Sequence, residues 1–344
     1  NPTQFDYDAD GVGDACDASQ YADVTAFGDI TGDGKPDVAG LLVTGAGNPA
    51  IGVYSGATGD WTSSIDFAND DWQALALATI ADADQDGTSG DPAVAMLIVN
   101  RVTNKIRVES RRLDSAVQLS SVAFFNHKWR AIDAVVIDDL DGNGNTNDTA
   151  VAVLAERRAD GRIQLQLRDV DTGDLVTNTV YLTPSWSAVA AAVAHQNGMP
   201  PLVGVIAENS GTGGRTLQAR EAESGALDGN TGFLGSAWQF HDVSVNRDAD
   251  GDGVSNDAVW QVLATRSSDN VVRVQSRAVT SGALDANTVI LSASWEALRL
   301  DTAADIDGNG AGELAITANR RSDGLRRIHI KDYGTGATTT NVAP

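Results

Sequence analysis

The feature that most constrains the fold is an acidic loop of the general form D-x-[D/N]-x-[D/N]-G, which occurs five times. The loops begin at Asp29, Asp82, Asp139, Asp248 and Asp305. Alternating oxygen ligands around one glycine suit Ca²⁺, which takes six to eight oxygens, and the glycine permits the sharp turn. The pattern therefore predicts a calcium-binding repeat protein.

Tryptophans recur with the same period as the loops. They are Trp72, Trp129, Trp186, Trp238 and Trp295, separated by 57, 57, 52 and 57 residues. Each unit contains four short runs rich in Val, Ile, Leu and Ala, separated by Asp, Asn, Gly and Ser clusters, which predict strands. Four antiparallel strands in a unit of this length are typical of a β-propeller blade.

We therefore predict an all-β fold, a six-bladed β-propeller of four-stranded antiparallel blades, over residues 19–344, with calcium-binding hairpin loops. Residues 1–18 form a separate segment. The predicted blades lie near 19–68, 69–125, 126–182, 183–234, 235–291 and 292–344.

The charge is strongly negative and excludes one class of partner. The formal net charge is −23, from 47 acidic and 24 basic residues, and the excess lies in the loops. Nucleic acid binding needs a basic surface, so we expect no nucleic acid partner. No apolar run approaches the roughly 20 residues of a membrane-spanning helix, so we expect no membrane span.

The N-terminal segment carries a further acidic run with Asp6, Asp8 and Asp10, followed by Cys16, the one cysteine of the chain. This run resembles a thrombospondin type 3 repeat, which implies calcium binding by the three aspartates outside the cell. In that family the cysteine usually pairs with one in a neighbouring repeat, and here the neighbour is missing. A free thiol in an irregular acidic tail is the alternative. We expect part of a longer secreted or cell-surface protein.

The repeated unit, a strand, an acidic loop and a short apolar strand, is similar to the FG-GAP/VCBS repeats of integrin α-subunit propellers. The resemblance implies that calcium lies in the hairpin between the first two strands of a blade. We expect about five ions in the propeller, and further calcium in the N-terminal segment. The implied ligand positions are Asp29, Thr31, Asp33, Lys35, Asp37, Asp82, Asp84, Asp86, Thr88, Asp91, Asp139, Asp141, Asn143, Asn145, Asp148, Asp248, Asp250, Asp252, Val254, Asp257, Asp305, Asp307, Asn309, Ala311 and Glu313.

Two features of these loops leave questions open. The closing carboxylate stands at position nine in Asp37 and Glu313 but at position ten in Asp91, Asp148 and Asp257. The fourth unit, at residues 195–201, has no carboxylate, so we predict no calcium there. The alternative for the whole set is Asx-turn hairpins without metal.

In the second to sixth blades, the end opposite the loops is predicted to carry tryptophan at the strand starts, with arginine in the facing hairpins of all but the fourth blade. Indoles stack on sugars, and guanidinium groups pair with carboxylate or sulfate, so this composition suits an anionic glycan. The alternative is packing between blades, with arginine stacked on tryptophan or paired with a nearby aspartate. The candidate ligand-binding residues are Trp72, Trp129, Trp186, Trp238, Trp295, Arg101, Arg157, Arg266 and Arg320.

The first strands of a propeller line its axis. Alternate residues there include Asp23, Asp133, Asp242, Arg299 and Asp301, which form either an acid/base or cation site or a hydrated, salt-bridged plug.

We identify no catalytic residues, and expect a non-catalytic, calcium-stabilised binding or adhesion module. Its ligand would be a glycan or an extracellular protein, and the propeller would be monomeric within a multidomain chain. Two alternatives remain: a calcium-dependent polysaccharide lyase with His241 as the nearest candidate base, and a spacer domain of a large adhesin.

Overall fold

The computed structural model describes residues 20–43, 49–66, 71–83, 92–196, 199–250, 257–303, 305–306 and 312–342. Within these ranges the regular structure is entirely β, arranged as six four-stranded antiparallel sheets. The chain is a six-bladed β-propeller, and the predicted fold class is confirmed. Nowhere in the described ranges is there a helix with the length and apolar character needed to cross a membrane.

Each blade is one contiguous stretch of chain. The first contains β1 (Gln20–Phe27), β2 (Asp37–Val43), β3 (Pro49–Tyr54) and β4 (Trp61–Asp66). The second contains β5 (Trp72–Ile80), β6 (Ala93–Asn100), β7 (Ile106–Arg112) and β8 (Gln118–Ala123). The third contains β9 (Trp129–Ile137), β10 (Ala150–Arg157), β11 (Ile163–Asp169) and β12 (Leu175–Leu182).

The other three blades repeat this order. The fourth contains β13 (Trp186–Gln196), β14 (Met199–Asn209), β15 (Arg215–Glu221) and β16 (Leu227–Gly232). The fifth contains β17 (Trp238–Asn246), β18 (Val259–Arg266), β19 (Val272–Ala278) and β20 (Leu284–Leu291). The sixth contains β21 (Trp295–Ala303), β22 (Glu313–Arg320), β23 (Arg326–Asp332) and β24 (Thr338–Val342).

Burial is greatest in the second strand of a blade and falls toward the outer strands, as the sequence patterns require. The first six residues of β6 are all buried because a neighbouring blade covers each face, and they form a continuous apolar run. In β7 buried and half-buried residues alternate, and most of β8 is exposed or half-buried. The middle strands therefore supply the core, and the outer strands contact solvent.

Six hydrophobic clusters hold the described part of the propeller together, one at each interface between blades. The cluster between the sixth and first blades joins Tyr21 and Val38 to Ile328 and Ile330, so packing closes the ring. Burial of such apolar side chains is the main term that favours the fold.

Trp260, between the fourth and fifth blades, is only 1 % exposed. A Cβ atom at Gly204 would lie 2.7 Å from its ring, so this close approach requires glycine.

The first strands of successive blades contact one another and line the axis. Each is irregular at the same place, where the ladder with the second strand skips one residue, for example between Tyr21 and Asp23 and between Phe240 and Asp242. A β-bulge of this kind redirects the next side chain. The residues after the six bulges are Asp23, Ala76, Asp133, Ala190, Asp242 and Arg299.

Candidate functional site

The acidic hairpins between the first and second strands lie at one end of the propeller, which we name the loop end. In the described part of the chain, three loops each bring three carboxylate oxygens within 4.8 Å of one another. The three groups are Asp29, Asp33 and Asp37; Asp139, Asp141 and Asp148; and Asp248, Asp250 and Asp257. Hard oxygen donors at this spacing fit Ca²⁺.

The closing carboxylate has the same place in all three loops. Asp37 accepts hydrogen bonds from the backbone N–H groups of Ile30 and Thr31, both at 2.8 Å. Asp148 and Asp257 accept the equivalent pair of N–H groups in their own loops, at 2.8 to 3.0 Å. Positions nine and ten are therefore structurally equivalent, because the longer loops absorb their extra residue before the closing aspartate.

The motif glycines of the first and third loops adopt the conformation that the sequence pattern predicts. Gly34 has a φ of 83° and Gly144 a φ of 87°, in the left-handed region that side chains disfavour. Both glycine N–H groups point back into the loop, where they donate to the first aspartate, Asp29 or Asp139, at 2.7 Å.

The sixth loop is described at its two ends. Glu313 is fully buried and accepts the N–H of Ile306 at 2.6 Å, much as Asp37 does in the first loop. Asp82, which begins the second loop, accepts a hydrogen bond from the hydroxyl of Thr146 in the third, so adjacent loops touch.

The other predicted ligand positions divide into two sets. Thr31, Lys35, Asn143 and Asn145 lie within the first and third loops, and Asp305 begins the sixth. The remaining predicted residues lie outside the described ranges: Asp6, Asp8, Asp10, Cys16, Asp84, Asp86, Thr88, Asp91, Asp252, Val254, Asp307, Asn309 and Ala311.

The fourth blade has a short hairpin in place of an acidic loop. Its strands β13 and β14 pair up to Gln196 and Met199. His195, beside this turn, is largely buried, and burial lowers its pKa to about 3, so the imidazole is neutral at neutral pH. The prediction that this blade binds no calcium stays a prediction.

The opposite end, which we name the tryptophan end, contains the strand starts and the hairpins between the second and third strands. The ladders place each tryptophan opposite the last residue of the second strand: Trp129 pairs with Arg157, Trp238 with Arg266 and Trp295 with Arg320.

The arginines of these hairpins are already paired. Arg157, Arg266 and Arg320 each form a two-point ion pair with the aspartate three residues later, with Nε–Oδ1 distances of 2.7, 2.9 and 2.9 Å. The hydrogen bond from Arg157 lowers the pKa of Asp160 to about 2. In the second blade, the backbone N–H of Arg101 donates to the backbone carbonyl of Asp71 at 2.8 Å.

The tryptophans are half-buried, and each packs against one of the clusters between blades. Trp129 lies 4.7 Å from the ring of Phe125, and Trp238 lies under Arg266 at 5.6 Å. This geometry matches the alternative of packing between blades. A ligand-binding role for the five tryptophans stays a prediction.

A second set of arginines bridges the blades on their outer side. Arg168, Arg220 and Arg277 stack over Phe124, Tyr181 and Phe233 of the preceding blade, at 5.9, 5.5 and 5.7 Å. Such cation–π contacts stabilise the interfaces between blades.

An axial cavity of about 720 Å³ runs from the middle of the propeller to the loop end. We name its floor, Asp23, Asp133 and Asp242, the carboxylate ring. These three residues belong to the first, third and fifth blades, and Arg299 of the sixth blade lies at the same level. Asp138, Arg247 and Asp248 line the cavity nearer the loops.

Each carboxylate of the ring connects two blades. Its Oδ1 accepts the N–H of the next residue at 2.9 Å. Its Oδ2 accepts an N–H of the following blade: Asp23 from Leu77, Asp133 from Ala191 and Asp242 from Leu300, at 2.7, 2.9 and 2.8 Å. The predicted axial carboxylates therefore converge, and they hold the blades together in pairs.

Burial dominates the electrostatics of the ring. It raises the pKa of Asp23 to about 7, although Arg299, at 3.9 Å from its Oδ1, acts in the opposite direction. Burial also raises the pKa of Asp133 and of Asp242, again opposed by Arg299. Repulsion from neighbouring carboxylates adds to the effect on Asp23 and Asp242.

The wall of the cavity is formed by the residue two positions after the ring level in each first strand. One half of this wall is apolar and the other half is polar. The second, third and fourth blades contribute an apolar wall of Ala78, Val135 and Ala192. The fifth, sixth and first blades contribute a polar wall of Ser244, Asp301 and Thr25. Asp301 is fixed by four donors, including the Thr25 hydroxyl at 3.0 Å and the Ala26 N–H at 2.8 Å.

The sequence reasoning found the ring but missed this asymmetry of the wall. The signal was present: aligning the units on their tryptophans and stepping two residues beyond the ring gives Thr25, Ala78, Val135, Ala192, Ser244 and Asp301.

Comparison with known proteins supports the architecture. No known protein family matches the sequence, and no curated protein matches it closely enough to be a relative. Among solved structures, AofleA from Arthrobotrys oligospora is similar with a TM-score of 0.61 and 11% identity, covering 94% of this chain and 87% of its own. The α-L-arabinanase of Penicillium chrysogenum, complexed with arabinobiose, has a TM-score of 0.55 and 9% identity, covering 91% and 93%. These likenesses show the fold alone.

Proposed function

We propose that this chain is a non-catalytic, calcium-stabilised binding module of a secreted or cell-surface protein, built from FG-GAP/VCBS-type blades. The observation that carries the proposal is the gathering of three carboxylates within 4.8 Å in each of three loops. Carboxylates at this distance repel one another strongly unless a cation lies between them. Calcium bound at the loops would therefore add directly to the free energy of unfolding.

The axial cavity is the ligand site that the geometry favours. At the tryptophan end, Arg157, Arg266 and Arg320 are each held by an aspartate of their own hairpin. A ligand there would have to compete with these ion pairs. The cavity offers instead a concave space with polar groups on one side, which is the usual form of a small-ligand site.

The lyase alternative gains no support from His241. Its Nε2 lies 2.8 Å from the hydroxyl of Thr265, and burial lowers its pKa to about 4. A neutral imidazole could accept a proton in principle, but His241 is not among the residues that line the axial cavity. We therefore assign the chain no catalytic residue. A glycan or an extracellular protein is the expected partner, and adhesion the expected role.

Removal of calcium tests the proposal. Calcium at a thousandfold excess over its Kd would add about 4 kcal/mol per site, so excess chelator should lower the melting temperature by about 10 °C or more. Addition of calcium beyond the chelator should restore the original value. A melting temperature that does not change with chelator would overturn the proposal that the loops are structural calcium sites.

A further inference from the structure

We propose that the axial cavity binds a small hydroxylated organic cation, with the chemistry of an amino sugar, whose protonated amino group lies over the carboxylate ring. The inference rests on the proposed function, because it takes the axial cavity as the ligand site. It differs from the anionic glycan that the composition of the tryptophan end suggests.

The charge of the carboxylate ring favours a cationic ligand. The ring brings three carboxylates together, and Arg299 is the cation that acts on all three. Burial raises the pKa of all three carboxyl groups, so the ring carries fewer than three negative charges near neutral pH, and a bound cation would favour its ionised form. A buried charge that is not compensated is costly, so the floor of the cavity favours an added cation.

The arrangement of the ring determines from which side a ligand can reach the carboxylates. At the level of the ring the six blades contribute, in order, Asp, Ala, Asp, Ala, Asp and Arg. Arg299 lies between Asp242 and Asp23, whereas Ala76 and Ala190 occupy the other two intervals. Both alanines are buried in the packing between blades, so they leave no open space between the carboxylates. An ammonium group therefore reaches the carboxylates from the cavity, which all three of them line.

The cavity wall, with one polar and one apolar half, fits a sugar ring. A sugar ring has hydroxyl groups around its edge and C–H groups on its faces, so it needs both polar and apolar contacts. Thr25, Ser244 and Asp301 provide the polar side, and Ala78 and Val135 belong to the apolar side. A simple hydrated plug would not require an apolar half.

The cavity lining also contains a buried donor. Asn246 lines the cavity and is only 4 % exposed. Its Oδ1 accepts the N–H of Asp248 at 3.2 Å, which fixes the orientation of the amide. Its Nδ2 has no acceptor in the described part of the chain. An unpaired buried N–H is costly, but the Nδ2 atom is itself shielded from solvent, so a ligand oxygen would reach it only after the side chain shifts.

Binding of matched ligands tests the inference. Calcium-loaded protein is titrated by calorimetry with the β-1,4-linked disaccharide of glucosamine, at a pH at which its amino groups are protonated. Its N,N′-diacetyl form keeps the ring hydroxyls without the charge, and putrescine supplies charge without hydroxyls. We expect the amino disaccharide to bind at least about tenfold more tightly than either, a difference of about 1.4 kcal/mol. Equal or weaker binding than the diacetyl form, equal binding of putrescine, or no binding of any probe overturns the inference.

Two substitutions locate the site. Ala78→Leu fills the apolar wall without changing a charge and should weaken the amino disaccharide at least about tenfold. Ala226→Leu, at an exposed turn before β16, is the matched control and should bind as the unsubstituted protein does. If Ala78→Leu also binds normally, the ligand lies elsewhere and the inference fails.

Asp133→Asn removes one charge of the ring and should also weaken binding. Because Asp133 joins the third blade to the fourth, the melting temperature of the Asp133→Asn variant is measured as well. If this variant does not fold, the Ala78→Leu titration alone tests the inference. Failure of the calcium proposal would show in the chelator experiment, whereas failure of the inference would show only in the ligand titrations.

Discussion

The two ends of the propeller differ in how their charged side chains are arranged. At the tryptophan end, three hairpin arginines, Arg157, Arg266 and Arg320, are each paired with the aspartate three residues later. At the loop end, each described acidic hairpin gathers like charges, as in Asp29, Asp33 and Asp37. The chain itself pairs these charges at one end, whereas we propose that calcium from solution balances the carboxylates at the other.

Calcium bound at the loop end, as proposed, would offset part of the net charge of −23. Like charges that lie a few ångströms apart oppose folding, unless a cation makes their proximity favourable. The loop end is therefore where stability should depend on the solution, and the tryptophan end is where stability should depend on packing.

The largest expected effect of a substitution lies at the tryptophan end. Trp129 packs against Phe125 and the cluster between the second and third blades. Trp129→Ala should reduce the free energy of unfolding by roughly 3 to 5 kcal/mol, because it leaves a cavity at an interface between blades. Chemical denaturation of the calcium-loaded protein measures this.

Trp61 is a matched control for that substitution, since it lies on the outer strand β4 and is 51% exposed. Trp61→Ala should cost clearly less. Equal losses of unfolding free energy from the two variants would contradict a packing role that is specific to the tryptophans at the strand starts.

The carboxylate ring predicts a dependence on pH. The pKa of Asp23 is raised to about 7, so its contribution to stability is full below the ordinary carboxyl pKa and is lost as the pH rises through about 7. Asp23→Asn removes this titration. Between about pH 4 and pH 8, the unsubstituted protein should lose a few kcal/mol of stability relative to the variant.

Denaturation at saturating calcium across that range measures the difference. Calcium must be saturating so that the titration of the loops does not obscure the effect. Parallel stability curves for the two proteins would show that Asp23 is ionised normally and that its burial has little energetic consequence.

Much of this account was accessible from the sequence because the repeat exposes it. The spacing of the five tryptophans, with an equivalent strand start near residues 19–21, predicted six blades. Alternation along the first strands identified Asp23, Asp133 and Asp242 as axial. The β-bulge before each of these residues was not predictable, since a skipped residue in a ladder depends on the twist of the whole blade.

Side-chain pairing was the least predictable part. The ion pair of Arg266 with Asp269 was considered only in general terms, and the same arginine was also a candidate for ligand binding. Which interaction prevails depends on the conformation of the hairpin, because an aspartate three residues later reaches the guanidinium only in a tight turn. The equivalence of Asp148 and Asp37 as closing residues likewise required the loop geometry.

The smallest expected effect concerns the exposed arginines. Arg157→Ala removes an ion pair at the surface, and such pairs contribute little to stability. The melting temperature should be indistinguishable from that of the unsubstituted protein. Affinity for a sulfated or uronate-containing glycan, measured on an array, should also be unchanged. A clear loss of glycan binding would instead support recognition at the tryptophan end.

The most direct test of the account is the number of calcium ions per chain. After dialysis against buffer with excess calcium and removal of the free ion, elemental analysis should find at least about five ions per chain, five from the propeller and any others from the N-terminal segment. Asp250→Ala, in the acidic loop of the fifth blade, should lose one ion, whereas Gln196→Ala, in the hairpin of the fourth blade, should lose none. A chain that retains no calcium, or equal losses from the two variants, would contradict the account.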